Sequence, residues 1–245
     1  MFRRIFMSAL IAGFLGGAAI SVVQQVTTTP IIHHAERYET KGTPDSSHHS
    51  RYEDSSRSLL ILAHGPKATT EGEHDVWAPS DGWERFLFTS LANILTGTGF
   101  ALILVACFAL SRETVDGQRG VLWGLGGFAA ISLAPALGLP PEVPGVLAAD
   151  LVPRQGWWLL CVAATAAGLW MLVYRKGALW MVAGIAAMAL PHLIGAPQPD
   201  RIGGAVPPEL AGHFAAASLV TAAIFWTTLG WLSGTIWQRL GTTQS

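Results

Sequence analysis

The chain has 245 residues, of which 51% are hydrophobic and 13% charged, with a mass of 26.0 kDa and a mean hydropathy of +0.41. That composition excludes an ordinary water-soluble domain. Lys+Arg 15 against Asp+Glu 16 gives a net charge of -1, without the clustered basic residues of a nucleic-acid-binding surface.

Apolar runs long enough for about 30 Å of hydrocarbon begin with 5–26, behind Phe2-Arg3-Arg4. Such a start also suits a cleaved or twin-arginine export signal. The run is long for one, which favours a retained helix. Further candidates cover 86–110, 119–139, 156–174, 178–196 and 213–237. Backbone groups in lipid must be satisfied within the segment, so helices are required. The expected fold is therefore all-α: a polytopic integral membrane protein of about six helices. Residues 1–245 would form a single membrane domain, with 31–85 a long extracytoplasmic loop rich in His and acids between helices one and two. Trp77, Trp83, Trp123, Trp157, Trp158, Trp180 and Trp237 fall near span ends, as an aromatic belt would.

Basic residues in short loops mark the cytoplasmic side. A cytoplasmic N-terminus puts Arg3, Arg4, Arg112, Arg119, Arg175, Lys176 and Arg239 inside, with Arg154 and Arg201 in short outer loops. The other basic residues lie in 31–85, a loop long enough to be exempt. The chain thus reads as an inner-membrane protein with both termini cytoplasmic. Gly13 and Gly17, Gly120 and Gly124, and Gly230 and Gly234 have the small-xxx-small spacing that lets helices approach closely. The sequence has no GxxxxGK[ST] phosphate loop, and Gly124, Gly126 and Gly127 do not complete a dinucleotide fingerprint. Cys107 and Cys161 lie in apolar runs and read as small core residues.

On this topology every histidine faces outward: His33, His34, His48, His49, His64 and His74 in the loop, His192 near the end of the fifth span and His213 at the start of the sixth. All 16 acids except Glu113 and Asp116 follow. Imidazole with carboxylate suits borderline divalent metals, whereas carboxylate alone would not favour them over calcium or magnesium. Candidate ligands are Glu71-Gly72-Glu73-His74-Asp75, together with His33, His34 and Glu36, which share one turn if helix one extends outward. Neither is a strong motif, and the polar composition of 40–80 equally describes a disordered linker. His192 and His213 are costly near membrane depth and mark a functional site or interfacial anchors. Gln24 and Gln25 end helix one, and Asn93, Thr96 and Gly97 share a face of helix two, so together they could line a vestibule. Asn93 could instead serve as interhelical glue. Glu142 and Asp150 complete the candidate ligands, and Glu84 with Arg85 a pair or gate at the vestibule edge.

A weak repeat relates Pro135-Ala136-Leu137-Gly138 and Pro140-Pro141-Glu142-Val143-Pro144-Gly145-Val146 to Pro191-His192-Leu193-Ile194-Gly195 and Pro207-Pro208-Glu209-Leu210-Ala211-Gly212-His213. Duplication and chance similarity both explain it. Pro-Pro-Glu reads as a helix start in each copy, and Pro135 and Pro191 as kinks or ends.

The runs GWERFLFTSLANILTGTGFAL at 82–102, GVLWGLGGFAAISLAPALGLPPEVPG at 120–145 and ALPHLIGAP at 189–197 resemble the CbtA family of predicted cobalt transporter subunits. The resemblance extends from FRRIFMSALIAGFLGG to FAAASLVTAAIFW and leaves out only 40–80. It implies import of Co2+ for cobalamin biosynthesis alongside a small one-span partner, CbtB. It also implies five spans where hydropathy gives six, and it supplies no proven ligand set. The expectation is a non-enzymatic subunit, with no tightly bound cofactor, that collects Co2+ on its outer face and passes it through the bundle near His192, His213, Glu142 and Asp150. A non-transporting scaffold using the glycine faces is the alternative. A membrane enzyme is a weaker one, since no catalytic constellation lies on one helix face.

Overall fold

The computed structural model describes residues 1–41, 79–111, 113–201 and 203–242, and the described residues are helical throughout apart from turns and loops. The helices are α1 (Phe2–Val26), α2 (Thr29–Lys41), α3 (Trp83–Leu110), α4 (Gly117–Phe128), α5 (Ala134–Ala136), α6 (Leu151–Tyr174), α7 (Ala178–Ile194) and α8 (Pro208–Thr242). A π-helical turn, Ala129–Leu133, joins α4 to α5 without a break. Helices α1, α3, α6 and α8 are each long and apolar enough to cross a membrane. The shorter α7 has 17 residues, and the remaining candidate is the rod interrupted by the π turn.

Small residues decide which helices meet. Gly13 and Gly17 of α1 face α3, where a Cβ added at Gly17 would lie 2.5 Å from the Ile94 Cα, and one at Gly97 2.9 Å from the Gly13 carbonyl. Gly120 and Gly124 of α4 interlock with Gly230 and Gly234 of α8. A third pair joins α6 to α7, with a Cβ at Gly184 falling 2.9 Å from the Gly168 carbonyl. Without side chains at these points the backbones approach closely, and dispersion across the gap replaces the hydrophobic drive that lipid cannot supply. All three glycine faces are covered within this one chain.

The ends of the bundle are distinct. Arg4 Nε donates to the Trp237 carbonyl at 2.9 Å, and its guanidinium sits 3.7 Å over the Trp237 ring. The start of α1 and the end of α8 therefore lie together. Asp116 caps α4 by accepting from the Arg119 N–H at 2.8 Å, and Arg175 lies over the rings of Trp170 and Trp180. At the opposite end, Ala35, Val143 and Val206 form a small separate core with Tyr38, Leu210 and Phe214 around it. This cap joins α2, the loop before α6 and the first turns of α8.

Several boundaries differ from the sequence expectation. The segment after the first span is helical at once, as α2. The last helix starts at Pro208, five positions before the apolar run. Pro207-Pro208-Glu209 does open a helix, but Pro140-Pro141-Glu142 does not, and α6 waits until Leu151. Pro144-Gly145 stands where the second copy has Ala211-Gly212. Pro144 disfavours helix at the residue before it, and Gly145 turns the chain at φ 86. The two loops instead pair: Ala205 N–H donates to the Gly145 carbonyl at 3.0 Å and Leu147 N–H to the Gly203 carbonyl at 3.1 Å. Trp157 and Trp237 are 6% exposed, so both belong to the core and not to an aromatic belt.

Candidate functional site

Where α1, α3, α8 and the π turn diverge toward the cap, they leave an open cavity of about 570 Å³. Helix α1 contributes Gln24 and Gln25, α3 contributes Thr89, Asn93 and Thr96, and α8 contributes Ser218 and Thr221. Asn93 Nδ2 donates to Gln24 Oε1 at 2.7 Å and to Ser21 Oγ at 3.0 Å. Across the cavity, Thr221 Oγ1 donates to Thr27 Oγ1 at 3.0 Å. The wall thus carries a hydrogen-bonded polar band among apolar side chains, and amide and hydroxyl oxygens of that band remain to replace water around a cation.

The π turn supplies Ile131 and Ser132 to the same wall. Pro135 lacks an N–H, so the preceding turn cannot close in the ordinary α pattern, and the wider turn, Ala129–Leu133, ends just before it. Such turns are common at functional sites. Ser132 Oγ accepts from the Trp226 indole at 3.2 Å. Trp226 packs on Phe100 at 4.8 Å and Phe225 at 5.7 Å between ring centroids, and the three rings floor the cavity. Beyond this floor the buried hydroxyls of Ser8 and Ser233 have no hydrogen-bond partner among the described residues.

The mouth carries the charges. Glu36 on α2 accepts two bonds from Arg85 on α3, at 2.5 and 3.3 Å, and Arg85 also reaches Asp81 at 3.0 Å. The Arg85 hydrogen bonds hold the Glu36 carboxyl below the usual carboxylate range against the opposing effect of desolvation, and His33 adds to the lowering. His33 Nδ1 lies 3.2 Å from Glu36 Oε2. When Nδ1 carries the proton it donates to Glu36 and leaves the Nε2 lone pair free for a metal.

The sequence-predicted residues separate into groups. Gln24, Gln25, Asn93 and His33 line one cavity, with Glu36 at its rim. His34 is turned away, its ring 5.6 Å from Tyr38. Glu84 does not pair with Arg85: it accepts from the Ser80 hydroxyl at 2.5 Å, because Arg85 is taken by Glu36 and Asp81. Gly97 meets α1 and not the cavity. Glu142 pairs with Arg154 at 2.7 Å, Asp150 is exposed ahead of α6, and His213 is exposed on α8. His192 lies between α6 and α7, 3.8 Å from Cys161. The expected vestibule of His192, His213, Glu142 and Asp150 is therefore not assembled, since these side chains sit on separate elements with their own neighbours. Among the described residues no three His, Cys, Asp or Glu side chains gather around a common point. Glu73, His74 and Asp75 fall outside the described residues, as do His48, His49, His64, Trp77 and Arg112.

Ser132, Ser218 and Thr221 escaped the sequence reading. The i, i+3 spacing of Ser218 and Thr221 inside an apolar helix was the available signal. No local signal tied Arg85 to Glu36.

No curated protein and no solved structure matches the chain. The profile of one family, CbtA, described as a probable cobalt transporter subunit, matches residues 2–238. The helical bundle with its long apolar helices is the architecture such a membrane subunit requires, and the chain belongs to the CbtA family of probable cobalt transporter subunits.

Proposed function

We propose that the chain is the inner-membrane subunit through which Co2+ enters, with the α1–α3–α8 cavity as its vestibule and α2 as the collecting cap. The observation that carries this reading is the open cavity with a polar band along its wall and His33 and Glu36 at its mouth. A hydrated ion arriving there would exchange water first for the His33 imidazole, oriented by Glu36, and then for the amide and hydroxyl oxygens of Gln24, Gln25, Thr28 and Asn93. At the rim Arg85, which lines the cavity, is paired with both Glu36 and Asp81, so two carboxylates face one guanidinium and the local balance favours a cation over an anion. The ring cluster of Phe100, Phe225 and Trp226 closes the inner end, so passage requires α8 to shift. The Arg4 end, rich in basic residues, is placed in the cytoplasm by the charge rule for short loops.

Cobalt as cargo comes from the family, because nitrogen and oxygen donors bind nickel, copper and zinc at least as well. The small one-span partner and the service to cobalamin biosynthesis come from the same resemblance. This reading gives the protein no catalytic role and no resident cofactor. The scaffold alternative gains nothing from the glycine faces, which are already occupied by the chain's own helices. The test is uptake of radioactive cobalt by cells expressing the full chain with its small partner, compared with the partner alone and with H33A and E36Q chains. Uptake above the partner-only background that falls in both variants supports the reading; uptake equal to background overturns it.

A further inference from the structure

Helices α1 and α8 run antiparallel, and one seam between them lies beyond the ring floor of the vestibule. On α1 the positions Arg4, Ser8, Ala12 and Gly16 recur every four residues and share a face, as do Trp237, Ser233 and Leu229 on α8. The two faces meet at both ends. Arg4 Nε donates to the Trp237 carbonyl at 2.9 Å, and a Cβ added at Gly16 would lie 3.0 Å from the Leu229 Cδ1. Ser8 stands one turn along α1 from the Arg4 contact and Ser233 one turn along α8 from the same contact, so the two serines occupy one level of the seam.

Both serines are fully buried, and neither hydroxyl has a hydrogen-bond partner among the described residues. A hydroxyl inside a helix has a local option, the carbonyl four residues earlier. Ser21 takes it with Gly17 at 2.8 Å, Thr98 with Ile94 at 2.8 Å and Thr227 with Ala223 at 2.7 Å. Ser8 and Ser233 forgo it. A buried polar group left unpaired costs free energy, and two of them on facing stripes call for a ligand that the helices do not supply. The surroundings fix its chemistry. Ala9, Ala12 and Leu229 are apolar and fully buried, and two neutral hydroxyls cannot offset the stripping of water from a divalent ion. A small ligand that both donates and accepts is water.

We propose that the α1–α8 seam admits water from the Arg4 end, with Ser8 and Ser233 as the hydroxyl pair that binds it. The seam is then the inner half of the ion route, a part that rests on the transport reading: an ion past the rings keeps its hydration shell, and the two hydroxyls hold that shell. Opening takes the Arg4 guanidinium off the Trp237 carbonyl and Leu229 away from Gly16. A single shift of α8 does both.

Water entry is tested without transport, by thiol access in sealed vesicles of either orientation holding the full chain with C107S and either S8C or S233C. A small cationic methanethiosulfonate is expected to modify the new thiol of each variant from the Arg4 side. Peptide mass mapping should show Cys161, equally buried between α6 and α7, unmodified. No modification, modification from the cap side alone, or equal modification of Cys161 overturns water entry. The second measurement removes the hydroxyls. In S8A/S233A thermal stability should hold or rise, because unpaired polar groups are gone, whereas cobalt uptake per folded protein should fall about fivefold for each hydroxyl-to-water bond lost. Unchanged uptake would overturn the role of the pair and leave two hydroxyls that only cost stability. Modified thiols in a chain that takes up no cobalt would sink the transport reading and leave water entry standing.

Discussion

Replacing Asn93 with leucine tests the vestibule while sparing the fold. Leucine has the same branched heavy-atom skeleton as asparagine with bulkier methyl groups, and Asn93 lines an open cavity that can take the added volume. It deletes two hydrogen bonds, to Gln24 and Ser21. Side-chain hydrogen bonds between helices in a membrane contribute about 0.6 kcal/mol each and at most about 1.7, so N93L should cost roughly 1–2 kcal/mol of α1–α3 association. The contacts of Gly13, Gly17 and Gly97 remain, and the protein should stay folded with a modestly lower melting temperature in detergent. S21A loses one of the two acceptors and should show about half that thermal effect. Transport should suffer more than stability, because the ion loses an amide ligand midway along the wall. The assay is the initial rate of cobalt uptake, normalised to folded protein. Full-rate uptake by N93L would show that ions do not pass this wall, and the assignment of the cavity would be wrong.

Two further outcomes follow from the geometry. Because Arg85 depresses the Glu36 pKa, the clasp stabilises the cap fully above the unfolded carboxylate value of about 4.3 and loses that contribution as pH falls through the lowered folded value. Both side chains are a third exposed, which limits the effect to about 1 kcal/mol. Amide exchange in α2, corrected for intrinsic rates, should rise up to about fivefold on acidification, and E36Q should show the rise already at neutral pH; unchanged exchange in E36Q would remove the clasp. At the α4–α8 contact, an added Cβ at Gly230 lies 2.9 Å from the Gly124 Cα, inside the usual carbon separation of about 3.5–4.0 Å. G230A should therefore lower thermal stability by about 1–3 kcal/mol, while G126A, with nothing within 4 Å, should not. Equal behaviour of the two would mean that these helices do not interlock.

Local order determined what was legible in the sequence. Long apolar runs dictated a helical membrane protein, since lipid satisfies no backbone group, and helical periodicity set Asn93 and Thr96 on one face. Small residues spaced by four marked the faces of α1, α4 and α8 that pack. Partner choice was a different matter, because it depends on how helices cross. Glu36 and Arg85 are 49 residues apart and Cys161 and His192 are 31, so neither pair carries a periodic signal. Cys161 read correctly as a core residue, but its imidazole neighbour arrives from another helix, as does Gly184 opposite Gly168. The two Pro-Pro-Glu copies are nearly identical locally and fold differently, because one is followed by Pro144 and the other by Ala211. Polar groups distributed along a chain become a site only when packing brings them to one place, and in this protein the glycine contacts decide that packing.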